Sequence, residues 1–397
     1  MGAKEFISGN EAVAIGARLS RPQVIPAYPI SPQTIVVEKL SEYVDEGSLN
    51  CRYVRMDSEH SAMSAALGAS ALGARVFTAT SSQGLMYMAE VLPFVSGSRF
   101  PVVMMNANRA LAIPWSIFND QADSLMLLNS GWIQFYVEDA QEALDMTIQA
   151  FKIAETPGVL TPVMINLDGF ILTHTYEPVD IPEQELVDRY LPPYVTANKM
   201  SLANPTSVCV GMAPDLYTEY RWRQHRDLEQ NGPGAIREAD RRFAEIFGRS
   251  YGGLVEKYRC DDAEAVLVAL GSACATVRTA VDAMRAEGHR VGLFKLRCLR
   301  PFPSEEFVSL GDQLKALGVL ETDISYGYEG AVYTQVASAL HHRPGPLQTM
   351  NYIGGLAGRE ISEDNVKSIF KELLGLDGAK PRGGHVKFIN LRWNENE

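Results

Sequence analysis

Grouped cysteine is missing from this sequence. Its five cysteines, Cys51, Cys209, Cys260, Cys274 and Cys298, are scattered, with no Cys-x-x-Cys pair and no cysteine–histidine cluster. Iron–sulfur clusters and structural zinc need such grouped ligands, so the chain is predicted to hold no metal of its own. Any electron-transfer centre that works with it would sit on another chain. Excess positive charge is missing as well. The formal net charge of −12 argues against nucleic acid as a partner, because phosphate binding needs a basic face. No apolar run approaches the length that spans a bilayer, so no membrane insertion is expected. The opening Met-Gly-Ala-Lys-Glu-Phe lacks the apolar stretch of a signal peptide, and Phe6 stands where a myristoylation motif carries Ser or Thr. A cytoplasmic location without a lipid anchor is the expectation. A complete Gly-x-Gly-x-x-Gly is also absent, so Gly271-Ser272 and the run from Gly354 to Arg359 read as backbone turns rather than phosphate loops.

What is present is enough apolar sequence for a large core. The 397 residues are 46% hydrophobic and 21% charged, a composition that suits two or three domains. In the first part, strand-like and helix-like stretches alternate. Helices are expected at 10–19, 33–44, 83–95 and 140–155, and strands at 23–28, 52–56, 75–80, 101–107, 132–136 and 163–167, with an irregular stretch reaching about 125. Apolar strands separated by helices predict an α/β fold with a parallel sheet covered on both faces. From 176 to 258 the period weakens. Six prolines break its first half, and Gly232-Pro233-Gly234 precedes a charged helix at 235–248, so this segment reads as a connector, either packed along a partner or simply solvated. A second, smaller α/β unit follows at 259–397, with strands at 265–270, 291–296, 319–321 and 347–352 and helices at 273–287 and 331–340.

Three stretches fall at the carboxyl ends of predicted strands, where open α/β sheets collect ligands. They are Tyr28-Pro29-Ile30-Ser31-Pro32, Asp57-Ser58-Glu59-His60, and Asn106 to Leu111 with Arg109 at its centre. Together they bring a hydroxyl, a carboxylate and a guanidinium to one rim. Each also fits an ordinary role. Ser58 or Asp57 can cap a helix whose first turn holds Glu59, Ser31 can serve a turn between two prolines, and Arg109 can be a loop arginine at the surface.

The order and spacing of several motifs add to this reading. YPISPQT at 28–34, DSEHSA at 57–62, ATSSQGL at 79–85, NRAL at 108–111, GWIQFY at 131–136 and DGFILTHTYEPV at 168–179 resemble the α subunit of 2-oxoacid:ferredoxin oxidoreductases, and the pyruvate-type branch in particular. The likeness continues through LRPFP at 299–303 and GGLAGR at 354–359, and so covers nearly the whole chain. It implies a domain like the pyrimidine-binding domain of thiamine enzymes over 1–175, the connector over 176–258, and a domain like the transketolase C-terminal domain over 259–397. It also implies CoA-dependent oxidative decarboxylation of a 2-oxoacid to acyl-CoA and CO2. Thiamine diphosphate would be shared with a β subunit that holds its diphosphate and Mg2+, in keeping with the lack of a Gly-Asp-Gly…Asn motif here. [4Fe-4S] clusters would lie on the β subunit and on a ferredoxin-like chain. A γ-type subunit would complete the complex, with ferredoxin or a flavin/NAD module as electron acceptor.

Carried onto matching positions, the resemblance makes Glu59 the catalytic carboxyl that bonds the cofactor's aminopyrimidine, with Ala62, Met63 and Ala66 supplying an apolar surround. Arg109 would bind the substrate carboxylate through two parallel hydrogen bonds. Ser31 replaces the family's usual threonine and keeps its hydroxyl, while Ala112 stands where pyruvate-type relatives carry a small polar residue. The apolar run Ala112 to Phe118 and the methyl lost at Ser31 point to a bulky apolar or aryl 2-oxoacid such as phenylglyoxylate, with pyruvate as the alternative. If Ile113 and Trp115 instead pack into the core, the pocket is unchanged. His60 is given a structural role. Two rival readings are a non-catalytic scaffolding subunit, which a missing carboxylate at 59 would have favoured, and a transketolase or 2-oxoacid dehydrogenase type of thiamine enzyme, against which YPISP and NRAL argue.

Overall fold

Alternating apolar strands and helices produce two mainly parallel sheets in the computed structural model, which describes residues 2–203, 205–208, 210–345, 347–375 and 384–392. Of the five cysteines, Cys209 lies outside the described residues. The first unit contains β1 (Ala3–Ser8), α1 (Gly9–Ser20), β2 (Val24–Ala27), α2 (Thr34–Asp45), β3 (Arg52–Arg55) and α3 (Glu59–Ala71). It continues with β4 (Phe77–Thr80), α4 (Ser82–Met88), α5 (Leu92–Gly97), β5 (Val103–Asn108), α6 (Ala122–Leu125), β6 (Ile133–Tyr136), α7 (Ala140–Ala154) and β7 (Val163–Asp168). Next come β8 (Tyr176–Ile181), α8 (Gln184–Tyr190), α9 (Pro214–Phe247) and β9 (Val255–Tyr258). The second unit runs through β10 (Ala265–Ala269), α10 (Ala273–Ala286), β11 (Val291–Leu296), β12 (Cys298–Arg300), α11 (Ser304–Val308), β13 (Ala316–Glu321), α12 (Ala331–Leu340), β14 (Gln348–Ile353), α13 (Glu363–Leu373) and β15 (Val386–Phe388).

In the first sheet the strand order is β12-β6-β7-β5-β4, and the parallel pair β2-β3 extends it through a bridge between Val24 and Val76. Every residue of β4, β5, β6 and β7 is buried, as expected of strands covered on both faces. The second sheet has the order β15-β14-β13-β10-β11-β9 and is parallel apart from β9. No described helix is long and apolar enough to cross a membrane.

Several elements depart from the sequence expectation. The helix expected at 83–95 is two helices, α4 and α5, and the second starts with Pro93 in its first turn, where a proline's missing N–H costs nothing. The connector also has more structure than its prolines suggest. β8 lies within it and pairs antiparallel with β1, an N-terminal strand that the alternation pattern did not reveal. Gly232-Pro233-Gly234 does not precede the charged helix. It lies inside α9, which runs unbroken for 34 residues. Interior proline and glycine disfavour a helix by several kcal/mol in sum. Burial of Ile236, Ala239 and Phe243, a hydrogen bond of 3.0 Å from the Tyr190 hydroxyl to the Ala239 carbonyl, and an Arg99–Asp227 ion pair of 3.2 Å offset that cost.

The two units are joined by charge as well as by strand pairing. Glu142 on α7 is buried between Lys295 and Arg297, at 2.8 and 2.6 Å. Glu138 bonds Lys295 at 2.7 Å and Arg278 at 2.9 Å. Burial alone would raise the Glu142 carboxyl, but Lys295 and Arg297 outweigh it and hold the group down at about 2. Burial alone would likewise lower Lys295, and Glu142 and Glu138 leave it raised instead.

Candidate active site

Glu59 is the first residue of α3. Ser58 caps that helix, its hydroxyl oxygen accepting the Ser61 N–H at 3.1 Å. The strand before it, β3, ends at Arg55, so the carboxylate sits just past a strand's carboxyl end, where the sequence placed it. It is only 7% exposed and takes no hydrogen bond from any described residue. Beneath it lies Gly84 of α4. A Cβ there would come within 2.6 Å of Glu59 Oε1, 2.9 Å of its Cγ and 2.7 Å of Thr80 Oγ1, so any larger residue would push the carboxylate away. Thr80 Oγ1 is itself buried without a partner. Ala62, Met63 and Ala66 are buried together with Leu85 and Met88, and so form an apolar floor on this side. His60 turns to the surface, with Nε2 3.1 Å from Glu90 Oε2 and its ring against Tyr87.

Arg109 follows β5 directly and is 6% exposed. Its Nη1 donates to the Ser31 carbonyl at 2.7 Å and its Nη2 to Gln83 Oε1 at 2.9 Å, while Nε is buried with no partner. Burial lowers its pKa, and the nearby charges of Asp123 and Glu59 work against that shift. Arg109 and Glu59 therefore feel each other's charge, yet no ion pair within 4.0 Å joins them among the described residues. A buried, desolvated guanidinium whose side-chain bonds go only to neutral carbonyls is suited to receive an external carboxylate.

The remaining expected residues lie at the rim. Ser31 contributes its backbone carbonyl to Arg109, and its side chain is exposed at the rim. Ala112 is exposed on the loop after β5, and the neighbouring Ile113 and Trp115 are 88% and 71% exposed, so they do not pack into the core of this chain.

Several residues around the site had no assigned role from sequence. Gln83, Gly84 and Thr80 belong to the quoted ATSSQGL motif, but their roles depend on contacts across the fold. Asp123 lies in the irregular stretch, where no period marked it. It is fully buried, accepts from the Arg109 and Ser82 N–H groups at 3.2 and 3.0 Å and from Asn108 Nδ2 at 2.7 Å, and burial pushes its carboxyl up to about 6. The one local signal near it is Ser82, a non-glycine residue at φ +50°.

Residues 15–239 match the family model described as pyruvate flavodoxin/ferredoxin oxidoreductase, thiamine diphosphate-binding, and residues 263–366 match the pyruvate:ferredoxin oxidoreductase core domain II. The chain belongs to this oxidoreductase family. Among the members it resembles is pyruvate synthase subunit PorA of Methanothermobacter thermautotrophicus, 47% identical over 92% of this chain and 94% of the relative. Another is ketoisovalerate oxidoreductase subunit VorA of Pyrococcus abyssi, 43% identical over 98% of each. In fold, the oxidoreductase chain is like the 2-oxoglutarate:ferredoxin oxidoreductase of Magnetococcus marinus, with a TM-score of 0.71 at 20% identity over 94% of this chain. It spans 65% of that longer chain. A split-gene transketolase is a second fold neighbour, with a TM-score of 0.54 at 14% identity, covering 94% of this chain and 99% of the other. The thiamine-enzyme α/β architecture is thereby shown. The residues present suit the pyrimidine end of a thiamine: a buried carboxylate without a donor, an orphan Thr80 hydroxyl beside it, and clearance over Gly84.

Proposed function

We propose that this chain is the α subunit of a thiamine diphosphate-dependent complex that oxidatively decarboxylates a 2-oxoacid with CoA to acyl-CoA and CO2. The observation that carries this reading is a buried carboxylate and a buried guanidinium, near enough to influence each other yet not joined in an ion pair. When bound, thiamine diphosphate supplies the carbon that attacks the keto group and the electron sink for decarboxylation. Glu59 would hold the pyrimidine nitrogen through a hydrogen bond whose proton it can give or take, and its burial would strengthen that bond. Arg109 binds the substrate carboxylate and fixes the direction in which the keto carbon faces. The shelf of Gly84 and the apolar floor limit water at the carboxylate. A β subunit would hold the diphosphate and Mg2+, a ferredoxin-like chain and the β subunit the [4Fe-4S] clusters, and a γ-type subunit would complete the assembly. Supplied with cofactor and metal, the isolated chain should show no 2-oxoacid-dependent CO2 release, whereas the assembled complex should. Turnover by the lone polypeptide would defeat this division of roles.

Two substrate readings differ in what supports them. Pyruvate or a branched 2-oxoacid is supported by the names of the PorA and VorA relatives. A bulkier apolar acid such as phenylglyoxylate is favoured by Ala112 at the loop after Arg109 and by Ile113 and Trp115, which stay unburied in this chain and are free to line a shared pocket. A methylene in an apolar pocket changes specificity by about 1–3 kcal/mol, so the preferences should be graded rather than absolute. Comparing kcat/KM of the assembled complex for pyruvate, ketoisovalerate and phenylglyoxylate ranks them. A clear preference for pyruvate would defeat the aryl reading and leave the reaction type intact.

A further inference from the structure

We infer that Gln83 is the positioning residue that keeps Arg109 unpaired and aimed at the substrate carboxylate, an inference that rests on Arg109 being the carboxylate-binding group. Two buried opposite charges in a poorly polarisable setting attract strongly, so Arg109 would be expected to close onto Glu59. It does not, because two of its N–H groups are committed to uncharged acceptors, the Ser31 carbonyl on one side and Gln83 Oε1 on the other. Neutral acceptors orient a guanidinium without cancelling its charge. That leaves the guanidinium with N–H groups that have no anionic partner and with its full charge available to an incoming carboxylate.

Gln83 is in turn held by its surroundings. Ser82 Oγ lies 2.7 Å from the same Gln83 oxygen and 2.8 Å from the Ala110 carbonyl. The Ser82 N–H donates at 3.0 Å to Asp123, whose same Oδ2 accepts the Arg109 N–H, so the turn before α4 and the end of β5 are fixed against each other. The next residue, Gly84, is the shelf under Glu59. Three consecutive residues therefore set the positions of both charged groups. Glutamate at 83 would fill the same space and still accept from Nη2, but as an anion it would pair with Arg109 and quiet it.

The test is a double-mutant cycle in the assembled complex with Gln83→Met, Gln83→Glu, Arg109→Ala and Gln83→Met/Arg109→Ala. It is read out by KM for the 2-oxoacid and by equilibrium binding of oxamate, an unreactive isostere of pyruvate. Gln83→Met keeps length and volume but removes the acceptor. About a tenfold weakening of oxamate binding and a matching rise in KM are expected, with a smaller change in kcat. Gln83→Glu should weaken binding at least as much although it retains an acceptor. In the Arg109→Ala background, Gln83→Met should add nothing, because its effect passes through the guanidinium. Unchanged oxamate affinity in Gln83→Met, or equal effects of that change with and without Arg109, would overturn the inference while leaving the role of Arg109 standing. If Arg109→Ala itself leaves oxamate binding unchanged, the carboxylate-binding reading fails and takes the inference with it.

Discussion

Glu59→Gln is expected to leave the complex assembled and to lower kcat by about two or more orders of magnitude, the scale of a lost general acid–base group. The substitution is nearly isosteric, so the fit over Gly84 and Thr80 should survive. What changes is the proton. A carboxyl group can give or take one at the pyrimidine nitrogen, whereas an amide can only hydrogen-bond to it. Burial makes the difference large, because a group 7% exposed has little water beside it to take over the transfer. The measurement is kcat together with the exchange rate of the thiazolium C2 proton in the absence of 2-oxoacid. Exchange at the parental rate in the variant would remove Glu59 from the chemistry and favour a purely structural role at the start of α3.

The second large effect is on stability. Glu142→Gln should destabilise the fold by about 3–5 kcal/mol, because it leaves Lys295 and Arg297 buried with less counter-charge than they need. Arg297 would keep neutral partners alone, the Gly253 carbonyl, Met146 and the Phe135 and Tyr251 rings, whereas Lys295 would still have the charge of Glu138. The pH dependence has a definite sign. The folded carboxyl is held at about 2 against an ordinary 4.5, so the unfolded chain binds the proton more readily. The stabilisation from this group, about 3 kcal/mol, is complete above pH 4.5 and is lost as pH falls towards 2. Chemical denaturation of parent and variant between pH 3 and pH 7 should show their difference shrinking at the acid end. A difference that stays constant across that range would mean that shape rather than charge is at work.

Much of the site could be read in the chain because its charged residues sit next to strong local signals. Asp57-Ser58 announces the start of a helix, and Asn108-Arg109 ends an apolar strand, so Glu59 and Arg109 could be placed at a sheet's carboxyl rim from local pattern. Ser31 was foreseen at the rim for its hydroxyl, and the fold adds a second use, its carbonyl, an atom that every residue carries and no pattern can single out. Gln83 lay within a quoted motif. Its role depends on the end of β5 coming beside the start of α4, a contact between residues 26 apart in sequence. Asp123 sits in a stretch without period, and only its burial shows that it ties Ser82 to Arg109. In α9, Gly232-Pro233-Gly234 is a locally sound stop signal that tertiary packing overrides.

The short strand β12 carries a consequence for dissecting the molecule. It belongs by sequence to the second unit, but Cys298 and Arg300 pair with Phe135 and Gln134 of β6, at the margin of the first sheet. A fragment cut after residue 262 would bare the backbone of β6 as an open template for other chains and would strand Glu138 and Glu142 without their cations. Such a fragment would be prone to aggregate, however complete its own sheet looks. A change of sequence pattern between the two units is therefore no guide to where the chain would tolerate a cut.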